Sequence, residues 1–201
     1  MKAAALAILL AAPLAAQTWE VGLNVSQQSY KEFGSDPWVA PKKTTPIALR
    51  AGYAVFDLGP ALFQITAAYQ PKVESDLENG FGQPSPVRYG HEYYGIGAMF
   101  NFKALVAVGA GVDYRFEKAS YTGGLIDRTT SFARPWARVN AGFAFPTPVV
   151  KPFIGLEVAA PLTSYSQDDA NNATSVTGFA DGFNKAVAPK LQIGVYGGIR
   201  F

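Results

Sequence analysis

The chain has 201 residues, enough for one domain, and its 49% hydrophobic content includes a single long apolar run, at the N-terminus, which excludes a bundle of membrane helices. A net charge of +2 gives no electrostatic reason to expect nucleic acid or an acidic partner, and zero Cys with one His exclude disulfides and, in effect, zinc and iron–sulfur centres. Charged residues reach only 16%, against 13% aromatics and 20 Gly, a mix that suits strands, tight turns and a crowded interior.

Met1-Lys2, an apolar run from Ala3 to Leu14 broken only by Pro13, and the small pair Ala15-Ala16 have the layout of a secretory signal peptide, too short to span a bilayer. Cleavage is expected after Ala16, leaving residues 17–201 as the mature domain; no Cys follows the cut, so a lipoprotein is excluded.

Beyond the signal, a two-residue period recurs. Trp19, Val21, Leu23 and Val25 alternate with Glu20, Gly22, Asn24 and Ser26; Ile47, Leu49, Ala51, Tyr53 and Val55 alternate with Ala48, Arg50, Gly52 and Ala54. Phe63 to Gln70 and Tyr93 to Phe102 repeat the pattern, and Val106 to Glu117 sets Val108, Val112, Tyr114 and Phe116 against Asp113, Arg115 and Glu117. Ala137 to Phe145 opposes its apolar series to Arg138 and Asn140, and Ile154 to Ala160 opposes its own to Glu157. The last run, Leu191 to Phe201, keeps strict alternation to a terminal aromatic. Such alternation is a strand with different solvents on its two faces, and the count is about eight strands of about ten residues, the length a tilted membrane strand needs. Pro135 interrupts the sixth run; a bulge there or the strand's upper end is expected, leaving the facing of Phe132 and Trp136 open.

Connections alternate long and short. Gln27–Pro46, Pro71–Arg88, Lys118–Thr130 and Thr163–Ala188 are long and polar; Asp57–Pro60, the turn around Lys103 and Pro146–Lys151 are short. This predicts an eight-stranded antiparallel up-and-down transmembrane β-barrel with both chain ends on the short-turn side. Arg or Lys on a lipid face near the midplane costs roughly 2–4 kcal/mol, so the faces carrying Arg50, Asp113, Arg115, Arg138 and Glu157 must point inward. A lipocalin-like barrel, apolar inside and polar outside, is the structural alternative.

The pattern of signal peptide, paired strand periods, loop asymmetry and terminal Phe201 resembles the small eight-stranded outer-membrane barrels of Gram-negative bacteria, the OmpA/OmpX-type group, over essentially all of Gln17–Phe201. The resemblance implies an outer-membrane location and a monomer. It also implies that Val195, Tyr196, Ile199 and Phe201 form the tag read by the barrel-assembly machinery, and no appended periplasmic domain is expected.

Charges in a confined lumen must be paired or hydrated. Counting from the short-turn end places Arg50, Arg138, Asn140 and Glu157 at middle height, with Arg138 and Glu157 on adjacent strands. Asp113, Arg115, Glu117 and Arg134 form a second group nearer the outer end, and Glu20 and Arg200 meet at the inner mouth across the closure. Such a network is either a plug or a gate whose pairs exchange partners and pass ions. Interface girdles account for Trp19, Phe63, Phe102, Phe145 and Phe201 at one end and for Tyr69, Tyr94, Tyr114 and Phe116 at the other. The loop aromatics Tyr30, Phe33, Trp38, Phe81, Tyr121, Phe179 and Phe183 are candidates for ligand stacking, and Lys31, Lys42, Lys43 and Arg88 for contact with lipopolysaccharide phosphates. His91 sits at rim height, where Ser75, Asp76 or Ser85 could approach it, but no nucleophile motif surrounds it. No enzyme activity, cofactor or metal is expected, since Asp168-Asp169 with Asn171 and Asn172 lacks calcium-loop spacing. The function expected is structural or that of a narrow pore; surface adhesion through four long loops and lipid modification through His91 are the alternatives.

Overall fold

The computed structural model describes residues 19–35, 39–81, 83–103, 106–123, 127–145, 147 and 150–201; the expected signal peptide, Trp38 and residues 104–105 of the turn after Lys103 lie outside them. Among the described residues nine strands follow in chain order: β1 (Trp19–Tyr30), β2 (Val39–Pro41), β3 (Ile47–Asp57), β4 (Ala61–Asn79), β5 (Pro84–Lys103), β6 (Ala107–Thr122), β7 (Arg128–Ala144), β8 (Lys151–Pro161) and β9 (Pro189–Arg200). Two helices, α1 (Asp168–Asn171) and α2 (Val176–Ala186), lie between β8 and β9.

All strands but β2 form a closed antiparallel ring, β1–β3–β4–β5–β6–β7–β8–β9 and back to β1. Closure runs from Glu20↔Arg200 up to Ser29↔Leu191, and Trp19 and Phe201 exchange backbone hydrogen bonds of 2.9 Å in both directions. A ring satisfies every ladder group internally, which is the condition for strands to cross hydrocarbon. No helix among the described residues is long and apolar enough to cross a membrane.

Alternation sorts the side chains as the sequence predicts. Val21, Leu23, Ile47, Leu49, Ile65, Ile96, Val108, Val112, Val139, Leu156 and Ile193 are exposed on the outer wall, while Arg50, Asp113, Arg115, Arg138 and Glu157 are buried inside. Gly95 makes room for the interior charge: a Cβ there would lie 3.2 Å from Arg115 Cγ. Aromatic pairs border the apolar belt, Trp19–Tyr53 at the short-turn end and the stacked Tyr94–Phe116 at the other, each with centroids 4.9 Å apart.

Above Tyr94 and Phe116 the sorting inverts. The outward residues become Glu92, Lys118, Arg88, Glu74 and Asp76, and the inward ones become Tyr89, Val87, Leu77, Ala119 and Phe132. The wall here is an ordinary water-facing sheet around an apolar core. Much of what the sequence presents as the loops Pro71–Arg88 and Lys118–Thr130 is therefore strand: β4 and β5 run to Asn79 and Pro84, and β6 and β7 to Thr122 and Arg128. A register shift between Gln70 and Val73 breaks the alternation in β4, so the period there stops short of the strand's end.

Pro135 causes no bulge. Arg115↔Arg134, Tyr114↔Pro135 and Asp113↔Trp136 pair without a shift, and both Phe132 and Trp136 face inward. The Pro135 carbonyl accepts from Leu162 N at 2.8 Å, just past the end of β8, so its missing N–H falls where the β8 ladder is already finishing. Both upper edges left by the shorter neighbours are covered: β2 pairs with Leu77–Asn79 of β4, and Tyr165 Oη donates to Ala133 O at 3.1 Å on β7.

Candidate functional site: the charged interior and its cap

The interior is a continuous stack of ion pairs. At the short-turn mouth Arg200 Nη2 pairs with Glu20 Oε2 at 2.5 Å, and Gln64 Nε2 donates to the same oxygen at 3.3 Å. At middle height Arg50 grips Glu157 with two bonds, Nη2 to Oε1 at 2.7 Å and Nη1 to Oε2, while Asn24 Nδ2 donates to Oε1 at 2.9 Å. Arg138 reaches Glu157 at 3.5 Å, Asp113 Oδ1 at 3.0 Å and Thr66 Oγ1 at 2.8 Å. A cavity of about 20 Å³, room for about one water, remains beside these groups.

One layer up, Arg115 lies across the interior. Its guanidinium carbon lies 4.4 Å from the Tyr93 ring centroid and 4.1 Å from that of Trp136, and Nη1 donates to Gln192 Oε1 at 2.8 Å. Trp136 is 0% exposed. Above it the Glu117 carboxylate collects four donors: Arg134 Nε at 2.7 Å and Nη2 at 2.9 Å, Trp136 Nε1 at 2.8 Å and His91 Nε2 at 2.9 Å. The chain continues from His91 Nδ1 to Gln70 Nε2 at 3.5 Å, Gln28 at 3.2 Å, Tyr30 at 3.3 Å and Thr44 at 2.8 Å. Because Gln28 and Gln70 present carbonyls to the donors before them, the direction is uniform toward Glu117, and His91 carries its proton on Nε2.

The tall end is capped by α2. Ser175 starts the helix, its hydroxyl accepting from Gly178 N at 3.1 Å. Phe183 enters the apolar core among Tyr30, Tyr89, Ala119 and Phe132, and Gly182 lets α1 approach, since a Cβ there would lie 2.6 Å from Ala170 Cα. Polar tethers hold the rim: Arg128 forks onto Asp181 at 2.9 and 2.7 Å, Thr130 Oγ1 donates to Asp181 at 2.6 Å, and Asn184 Nδ2 donates to Thr130 Oγ1 at 2.9 Å. The bonds from Arg128 hold the Asp181 carboxyl below its usual value. A depressed carboxyl stabilises the fold above its unfolded-state value, and that contribution is lost as pH falls through the folded value. Asp181→Asn should therefore speed amide exchange in α2 at neutral pH. The difference from wild type, compared at matched pH, should close under acid; equal exchange at neutral pH counts against the tether.

No protein-family model matches the sequence, and no curated protein does. Among solved structures the chain is similar to a major outer membrane protein of Thermus thermophilus, at 13% identity and a TM-score of 0.55 over 91% of this chain and 98% of that one. The fold is that of the small outer-membrane β-barrels. Weaker likenesses are to Neisserial surface protein A, at 16% identity and a TM-score of 0.47 over 90% and 95% of the two chains, and to Ail, the attachment invasion locus protein of Yersinia pestis, at 15%, 0.46, 91% and 97%.

In this outer-membrane-type barrel all nine charges singled out in the sequence, Glu20, Arg50, Asp113, Arg115, Glu117, Arg134, Arg138, Glu157 and Arg200, face the interior. Asp113 joins the middle layer to the upper one, with Arg138 on one oxygen and Arg115 at 3.5 Å on the other. Of the C-terminal four, Val195, Ile199 and Phe201 point outward, and Tyr196 points inward against Phe153. His91 is not rim surface: it is 0% exposed and faces Glu117, while Ser75 Oγ instead donates to Lys42 O at 2.7 Å. Tyr30, Tyr121 and Phe183 pack on the cap core rather than standing free for a ligand. Tyr93, Gln28 and Gln70 join the network beyond these nine charges, and the inward parity of each in its strand is the signal that marks them.

Proposed function

We propose that this protein is an integral outer-membrane barrel with a structural, non-enzymatic role, monomeric and closed to solute flow, with its tall end outside the cell. The observation that carries the reading is Arg115 held across the interior between Tyr93 and Trp136, under a helical cap. Within the network of nine named groups, the guanidinium groups of Arg50, Arg115, Arg134, Arg138 and Arg200 outnumber the carboxylates Glu20, Asp113, Glu117 and Glu157 by one. Purified protein in planar bilayers should show no stable openings. An Arg115→Ala, Trp136→Ala double variant should show openings, anion-selective because of that surplus. Stable openings in wild type that vanish in Glu157→Ala would instead establish the gated narrow pore.

Surface attachment is a second reading, favoured by apolar side chains left bare at the tall end: Phe81 at 69%, Val176 at 54% and Phe179 at 42% exposure. Protease shaving that abolishes attachment while the barrel stays intact would support it. Export through the segment 1–16 signal peptide and assembly through Val195, Tyr196, Ile199 and Phe201 belong to the same proposal. The outward Val195, Ile199 and Phe201 suit a tag read from the side of the strand.

A further inference from the structure

We propose that a recess on the outside of the barrel wall, just above the apolar belt, binds the phosphorylated sugar headgroup of a membrane glycolipid; this rests on the outer-membrane reading above. The recess has a volume of about 350 Å³, the size of a small-molecule site. It opens outward, because Ser29 and Leu191, which line it, hold the outward parity of β1 and β9. Its height follows from the same strands. On β1 the outward series changes from Val21, Leu23 and Val25 to Gln27 and Ser29, and on β9 the apolar series Val195, Ile193, Leu191 ends at a register shift that leaves Lys190 exposed. A ligand here therefore has its head at the polar boundary and its tails against the belt.

The lining chemistry selects the head. Lys42, Lys43 and Lys190 border the recess, and none of their ammonium groups has an ion-pair partner among the described residues. By contrast, three outward basic groups higher on the wall are paired: Lys72 with Glu74 at 2.9 Å, Lys118 with Glu92 at 3.3 Å and Arg88 with Asp76 at 3.6 Å. Three ammonium groups unpaired in one recess suit phosphate oxygens. Glu32 and Glu78 also line it and would accept hydroxyls, of which a sugar head presents more than the two of a phosphatidylglycerol head. The wall is rigid: Lys42 N donates to Asp76 O at 3.0 Å, Ser75 Oγ donates to Lys42 O at 2.7 Å, and Ala40 and Pro41 belong to β2. A preformed wall lowers the ordering cost of binding.

The test titrates the detergent-purified protein with a bis-phosphorylated glucosamine-disaccharide lipid, read by native mass spectrometry. The Lys42→Gln, Lys43→Gln, Lys190→Gln variant should bind about a hundredfold more weakly, at about a factor of five per lysine. A Lys72→Gln, Arg88→Gln, Lys118→Gln variant loses the same charge outside the recess and should lose less than about threefold, and the Lys→Arg triple at the recess should retain binding. Equal losses in the two Gln triples would mean general charge attraction and overturn the site. So would phosphatidylglycerol binding as tightly as the glycolipid, or soluble glucosamine 1-phosphate doing so. Vesicle flotation separates the two readings: protein that enters vesicles but ignores the glycolipid refutes the recess alone, whereas protein that fails to enter refutes the membrane reading beneath it.

Discussion

Replacing Glu117 with alanine should lower the unfolding free energy by about 3–5 kcal/mol, because removing one partner leaves the other buried charge uncompensated. The carboxylate serves Arg134, Trp136 and His91 at once, so its loss leaves a fork of Arg134, an indole N–H and an imidazole N–H without their acceptor. The barrel should reach its midpoint at lower urea in lipid vesicles. Glu117→Gln, which keeps one acceptor oxygen and the shape, should lose less. A midpoint shift worth under about 1 kcal/mol for the alanine variant would show that Arg134, which also donates to Pro189 O at 2.8 Å, is held mainly by β9.

The second large effect is on the outer wall. Val112 lies midway along the lipid-facing series of β6 and is 51% exposed, directly opposite Ala98. Val112→Arg should cost roughly 2–4 kcal/mol of stability in a bilayer, and the same change at Thr122, above the inversion, less than about 1 kcal/mol. Equal costs at the two positions would place the hydrocarbon elsewhere and refute the assignment of the belt.

The two-residue period made most of the barrel legible in the sequence, because within the belt each strand has hydrocarbon on one side and ions on the other. Arg138 and Glu157 could be placed on neighbouring strands from spacing alone, and Glu20 and Arg200 on the closing pair. Legibility stops where the solvents change. At Glu92 and Lys118 the apolar stripe passes to the inner face, and the shift after Gln70 breaks the count, so tall wall reads as polar loop. His91 reads as rim surface for the same reason, although it shares parity with Tyr93 and so faces inward. Helix α2 carries ordinary signals, Ser175 as cap and Phe179 and Phe183 one turn apart, but Gly178 and Gly182 inside it obscure the helical pattern.

The inversion also has a kinetic consequence. Lys72, Glu74, Asp76, Arg88, Glu92 and Lys118 all sit on the far side of the belt, so every one of them must traverse the lipid interior when the chain enters from the short-turn side. At roughly 2–4 kcal/mol apiece near the midplane, that crossing forms a barrier which vanishes from the final state. Insertion into defect-free bilayers should accordingly be slow, and once complete, the same charges act as a ratchet against withdrawal.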